Sequence, residues 1–106
     1  MKYIIFTSTF QLNLLTKAQQ LFIDATFEVC PKYYYQILNV DGYFKEINGI
    51  MPLIFIPFTS NTEEIYDQIF QNIYKIMDYN KINHKNIYKF IMSDFELTLR
   101  NSIKKF

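Results

Sequence analysis

Asp24 interrupts LFIDATFEVC (residues 21–30), where Phe22, Ile23, Thr26, Phe27 and Val29 are residue types that suit a half-buried strand. An ionised carboxylate in an apolar setting is costly unless something pairs with it. A second aspartate, Asp94, follows the apolar run at residues 88–92, about seventy positions downstream. If the two strands were neighbours, their backbones would lie about 4.8 Å apart and the carboxylates could approach each other. Two such charges at about 4 Å repel by roughly 4 kcal/mol at an effective dielectric of about 20. Either one carboxylate takes up a proton or a cation sits between them. Magnesium suits such a pair, because it prefers oxygen ligands and often takes one or two carboxylates plus water and phosphate. The simpler alternatives are local. Asp94 can be a first-turn helix residue favoured by the helix dipole, and Glu96 the capping-box partner of Ser93. Asp24 can be an inward charge guarding an edge strand.

Other candidates carry less. Cys30, the lone cysteine, cannot form an internal disulfide, which fits a reducing compartment; as a small packing residue it needs no further role. One cysteine and one histidine, His84, cannot build a structural zinc site. Tyr33, Tyr34 and Tyr35 could stack on bases, but strand packing accounts for them more simply. Net charge is +1, and before Ile54 four basic residues balance four acidic ones, so no strongly basic face announces nucleic acid. After Tyr79, Lys81, Lys85, Lys89, Arg100, Lys104 and Lys105 outnumber Asp94 and Glu96, which suggests either a phosphate-facing surface or a solvated helix face. No apolar run approaches the roughly 20 residues that span a bilayer, and residues 1–10 are too polar for a secretory signal. Both point to an intracellular chain without a membrane partner.

The elements that must position the aspartates can be read from periodicity. The 106 residues, half of them hydrophobic and 19% aromatic, predict a single domain with a proper core. Residues 3–6 predict a short strand. Ser8 and Gln11 have capping-box spacing before a short helix that ends near Gln19. Strands are expected at residues 21–29 and 33–40, with a turn at Asp41-Gly42 and a hairpin return over residues 43–47. Pro52 and Pro57 bracket a strand at residues 53–56. Ile65, Ile69, Ile73 and Ile76 recur at helical spacing, with Phe70 and Met77 beside them; Ser60 and Glu63 cap a helix over residues 62–79. A polar loop (residues 80–86), a strand (residues 88–92) and a helix bearing Phe95, Leu99 and Ile103 complete the chain. Strands in meander order followed by a crossover predict an α/β fold, a mixed sheet with helices packed on it. The ribonuclease H-like fold has this order, with its first strand central and parallel to its fourth.

Three blocks in sequence order, DATF with its trailing CPKYYYQ, PFTSNTEEIY, and SDFE, resemble the MULE (Mutator-like element) transposase domain over nearly the whole chain. The resemblance implies a ribonuclease H-like core of the DDE type, β-β-β-α-β-α with the last strand missing. It implies magnesium- or manganese-dependent cleavage and strand transfer of DNA at transposon ends, in which metal ions clamp the attacking and departing oxygens. Asp24 matches the family's first catalytic, metal-binding acid and Asp94 its second; no small-molecule cofactor is implied, and the nucleus is the expected location. The family's third acid, a glutamate, lies well beyond the second aspartate, whereas twelve residues follow Asp94 here. The fifth strand and the flanking zinc-binding modules are likewise unmatched. A truncated core is therefore expected, holding a divalent ion weakly and catalysing little or nothing. The competing expectation is a non-catalytic module that binds protein or DNA, or a transposon remnant without a role. Without a fifth strand, the fourth either pairs with residues 3–6 or offers its edge to another chain.

Overall fold

The computed structural model describes residues 3–26, 36–59, 62–84, 91–93 and 101–104. Helix α1 (Thr9–Lys17) begins where Ser8 caps it: the Ser8 hydroxyl accepts from the Gln11 amide at 3.1 Å and donates to the Gln11 side chain at 3.0 Å. Its buried residues are Leu12 and Leu15. Strand β1 (Gln20–Thr26) then pairs antiparallel with β2 (Gln36–Phe44), and β2 pairs antiparallel with β3 (Gly49–Phe58). Helix α2 (Glu63–Tyr79) carries the chain to β4 (Ile91–Ser93), which lies parallel to β1. The sheet order is β3-β2-β1-β4, so the protein is mixed α/β and β1 is an interior strand between an antiparallel and a parallel neighbour. No helix among the described residues is long and apolar enough to cross a membrane.

The turn expected at Asp41-Gly42 does not form there. Both residues lie inside β2, and the chain reverses later, through a single 3-10 turn at Lys45–Ile47 and Asn48. Asn48 takes the left-handed conformation (φ 46°), which asparagine tolerates better than most residues, and its side chain accepts from the Tyr43 hydroxyl at 3.0 Å. Gly42 is instead required by close approach. A Cβ on it would stand 2.9 Å from a Leu53 methyl carbon, 3.0 Å from the Phe44 ring and 3.1 Å from Ala18. Leu53 reaches it because β3 is bulged: Val40 pairs with Ile54 and Asp41 with Pro52, which leaves Leu53 as the extra residue.

β3 is also longer than the segment between its prolines. Both are tolerated because β3 is the outer strand on that side. The Pro57 carbonyl accepts from the Ile4 amide, so the missing Pro57 N–H faces the same outer edge. That bond belongs to a strap of extended chain, with Tyr3 bridged to Phe58 and Phe6 to Phe55. The strap therefore covers the β3 edge and not the β4 edge, at the opposite end of the sheet from the expected pairing.

Periodicity placed α2 well, but its cap lies at Thr62, whose hydroxyl accepts from the Ile65 amide at 3.2 Å; Ser60 lies outside the described residues. The buried side of α2 is Ile65, Tyr66, Ile69, Phe70, Ile73 and Met77. With α1 it closes one face of the sheet, where Leu21, Ile23, Leu38, Val40, Ile54, Ile56 and Phe58 join the same buried cluster. Phe58 and Tyr66 meet edge to face, ring centres 5.4 Å apart. Residues 101–104 are helical, and the buried Ser102 hydroxyl donates to the Asp67 carboxylate on α2.

Candidate functional site

Alternation along β1 sets the direction of Asp24. Leu21 and Ile23 are buried in the core, so Phe22 and Asp24 turn to the second face, where Asp24 is exposed. The burial that made this carboxylate costly on paper is not imposed on it. An edge-guard role is also ruled out, because β1 has a paired strand on each side. Register sets its neighbours: Asp24 stands opposite Asn39, and Phe22 opposite Asp41. Opposite residues of an antiparallel pair have Cβ atoms about 5 Å apart and diagonal ones about 7–8 Å, so Asp24, Asn39 and Asp41 form one polar patch. Asp41 is half-buried, and that desolvation raises its carboxyl pKa above the ordinary 3.8.

On the other side of β1, Ile23 pairs with Ser93 of β4. Asp24 and Asp94 are the residues that follow these two partners in the sequence. Asp94 lies outside the described residues, as do Cys30, Tyr33, Tyr34, Tyr35, Glu96, Leu99 and most of the basic residues after Tyr79. The donors on the patch, the carboxylates of Asp24 and Asp41 and the amide oxygen of Asn39, are hard oxygen ligands of the kind that magnesium takes. Among the described residues no three His, Cys, Asp or Glu side chains group closely enough to hold a metal ion.

His84 has a local task. Its Nε2 lies 2.8 Å from Asp78 Oδ1, and its ring stacks on Tyr74 with centres 4.4 Å apart, which ties the chain after α2 back onto the helix. Asn39 and Asp41 were not anticipated as neighbours of Asp24. The signal was present in ILNVDGYF, where Asn39, Asp41 and Tyr43 alternate with Leu38 and Val40, but the Asp-Gly pair read as a turn masked it. Two shallow grooves of about 400 Å³ and 390 Å³ lie elsewhere, one between the strap and α2 and one beside the β2–β3 turn. Compared with protein-family models, with curated proteins and with solved structures, the chain finds no match.

Proposed function

We propose that the chain is a ribonuclease H-like, MULE-type transposase core fragment, in which Asp24 and Asp94 hold a divalent cation at the carboxyl ends of β1 and β4. Its natural partner is then the DNA of transposon ends and its natural place the nucleus. The observation that carries this is the register Ile23 to Ser93 between parallel strands, since the next residue in the sequence after each of these partners is an aspartate. Further support comes from the strand order β3-β2-β1-β4 with a helical crossover, and from Asp24 facing away from the core. Ligands of open α/β sheets tend to sit beyond the carboxyl ends of the strands, where neighbouring connections diverge. A bound magnesium would polarise phosphoryl oxygens and orient an attacking water or hydroxyl. The chain's own acids, Asp24 and Asp94, would hold that ion.

The test is thermal unfolding with and without manganese or magnesium. A ligand at about ten times its Kd stabilises by roughly 1.4 kcal/mol, about 5–10 °C in a domain of this size. The rise should be lost in Asp24→Asn and in Asp94→Asn, and kept in Glu46→Gln, which changes an acid at the distant β2–β3 turn. Melting temperatures indifferent to metal, or an equal rise in all variants, would refute the cation pair. Exposed apolar side chains along the strap favour the second reading, an interaction module.

A further inference from the structure

Asn48 and Gly49 stand at the tip of the β2–β3 hairpin, the only Asn-Gly pair in the sequence, and the pair has a reactivity of its own. The Gly49 backbone nitrogen can attack the Asn48 side-chain carbonyl carbon and close a five-membered succinimide. The new C–N bond replaces the bond from Cγ to Nδ2, and Nδ2 leaves as ammonia with the proton from Gly49. Water then opens the ring at either carbonyl, leaving aspartate or isoaspartate at position 48. The net change is one water consumed and one ammonia released. Glycine in second place favours the reaction, because no side chain hinders the attacking nitrogen and the backbone rotates freely.

Water reaches the site, since Asn48 is exposed and Gly49 partly so. What the turn withholds is the geometry. Ring closure needs the Gly49 nitrogen to eclipse the Asn48 Cβ about the Cα–C bond, which for an L residue means ψ of about −120°. Asn48 has ψ 50°, so that nitrogen stands about 170° round from Cβ, on the far side of the bond. It is held there. The Tyr43 hydroxyl donates to Asn48 Oδ1 at 3.0 Å, the Asn48 amide donates to the Lys45 carbonyl at 3.1 Å, and Gly49 pairs with Phe44. Turning ψ to the reactive value reverses the direction in which β3 leaves the turn, so the Gly49–Phe44 pairing must break first. The native turn does not itself demand the glycine. Its φ is not positive, and a Cβ built on it would meet nothing closer than 3.6 Å.

We propose that Asn48 is a deamidation site gated by the fold: the closed hairpin holds Asn48 and Gly49 in an unreactive conformation, and the reaction runs in molecules whose β2–β3 turn has opened. Tyr43 is the latch, because its hydroxyl ties the reacting carbonyl to β2. Hairpin tips open at a lower free-energy cost than the strands of the core, so the gate works in the native protein. The isoaspartate product carries one further carbon in the main chain between positions 48 and 49. That lengthens the turn that sets the β2–β3 register, and reclosure is impaired. A transient opening is thereby recorded as a lasting covalent change.

Peptide mapping by mass spectrometry, with isoaspartate-specific enzymatic methylation as a second readout, follows position 48 while the full chain is incubated at neutral pH. The rate in the folded protein should be about tenfold or more below that of the same chain unfolded in guanidinium chloride. Tyr43→Phe, confirmed as folded by circular dichroism, should react about two- to tenfold faster than folded wild type, the shift in opening expected from one exposed hydrogen bond. Gly49→Ala fits the native turn and should slow the reaction in denaturant by about tenfold or more, which assigns the chemistry to the Gly49 nitrogen. Equal rates in folded and unfolded wild type would overturn the proposal. So would a folded Tyr43→Phe no faster than wild type, an unfolded chain that leaves Asn48 intact, or an undiminished rate in Gly49→Ala. If Tyr43→Phe does not fold, wild type in low denaturant decides. Its rate should rise ahead of global unfolding, and a rate that rises only with global unfolding would overturn the turn as the gate.

Discussion

On the core face, β1 to β3 present Leu21, Ile23, Leu38, Val40, Ile54 and Ile56, all aliphatic and all buried. On the second face the same strands present Phe22, Asp24, Asn39, Asp41 and Tyr43, none of them fully buried, and at one end the paired Ile37 and Pro57, which are. The first set is interchangeable in chemistry and constrained in volume; the second is varied in chemistry and, away from Ile37 and Pro57, open to solvent. Stability around β1 should therefore reside mainly in the first face, and any specific binding along β1 and β2 in the second. Ile23 and Asp24, consecutive in sequence, put that division within a single strand.

The largest effect should come from truncating the two neighbours in turn. Ile23 is 5% exposed and embedded in the cluster shared with α1 and α2. Ile23→Ala should cost about 2–5 kcal/mol, from lost apolar burial plus the cavity left behind. Asp24→Ala, one residue on, should cost less than about 1 kcal/mol. Urea unfolding of both variants measures the difference. Similar losses would mean that the second face is packed as tightly as the first.

Gly42 sharpens the comparison, because it sits on the core face without a side chain. Adding a methyl would place a carbon 2.9 Å from Leu53 and 3.1 Å from Ala18, at the junction of α1, β2 and the β3 bulge. Gly42→Ala should destabilise by about 1–3 kcal/mol through overpacking. A turn glycine at the same position would have responded through backbone strain, yet Gly42 lies in a paired strand opposite Met51. The companion variant Leu53→Ala in the Gly42→Ala background should recover part of the loss relative to additivity, since the two side chains compete for one space.

The same residues explain how much could be read without coordinates. Helix α2 was legible because Ile65, Ile69 and Ile73 repeat at helical spacing and are buried as a stripe. The crossover order was legible from that change of period, and β1 does lie parallel to β4. The hairpin was misplaced because Asp-Gly is a strong turn signal locally, while the reason for Gly42 is a tertiary contact with residues at positions 18 and 53. The strap's partner was left open, with the β4 edge as one alternative, for a related cause: nothing within residues 3–6 distinguishes one sheet edge from another, and the choice of β3 goes with Tyr3 reaching Asn72 and Thr7 reaching the Leu53 carbonyl. Asp24 was legible as an anomaly. Its exposure was not, because the hydrophobic residues beside it belong to the opposite face.

The smallest effect should come from Asp41, a half-buried carboxylate on the second face. Burial raises the Asp41 pKa in the folded state above 3.8, so the folded protein holds this proton over a range in which the unfolded chain has lost it. Between 3.8 and the higher folded value, stability should fall as pH rises, and above that window it should settle at a lower level. Asp41→Asn removes the titration. Relative to wild type, the variant should gain at neutral pH, by less than about 0.5 kcal/mol given how much of the site solvent still reaches. That gain should shrink as pH is lowered through the window and vanish below it. Paired urea titrations from acid to neutral pH follow this difference directly. A difference that grew on acidification would mean that the carboxylate is held by a favourable partner rather than penalised by its surroundings, and Asp41 would then belong with Asp24 as a charge that the second face is built to keep.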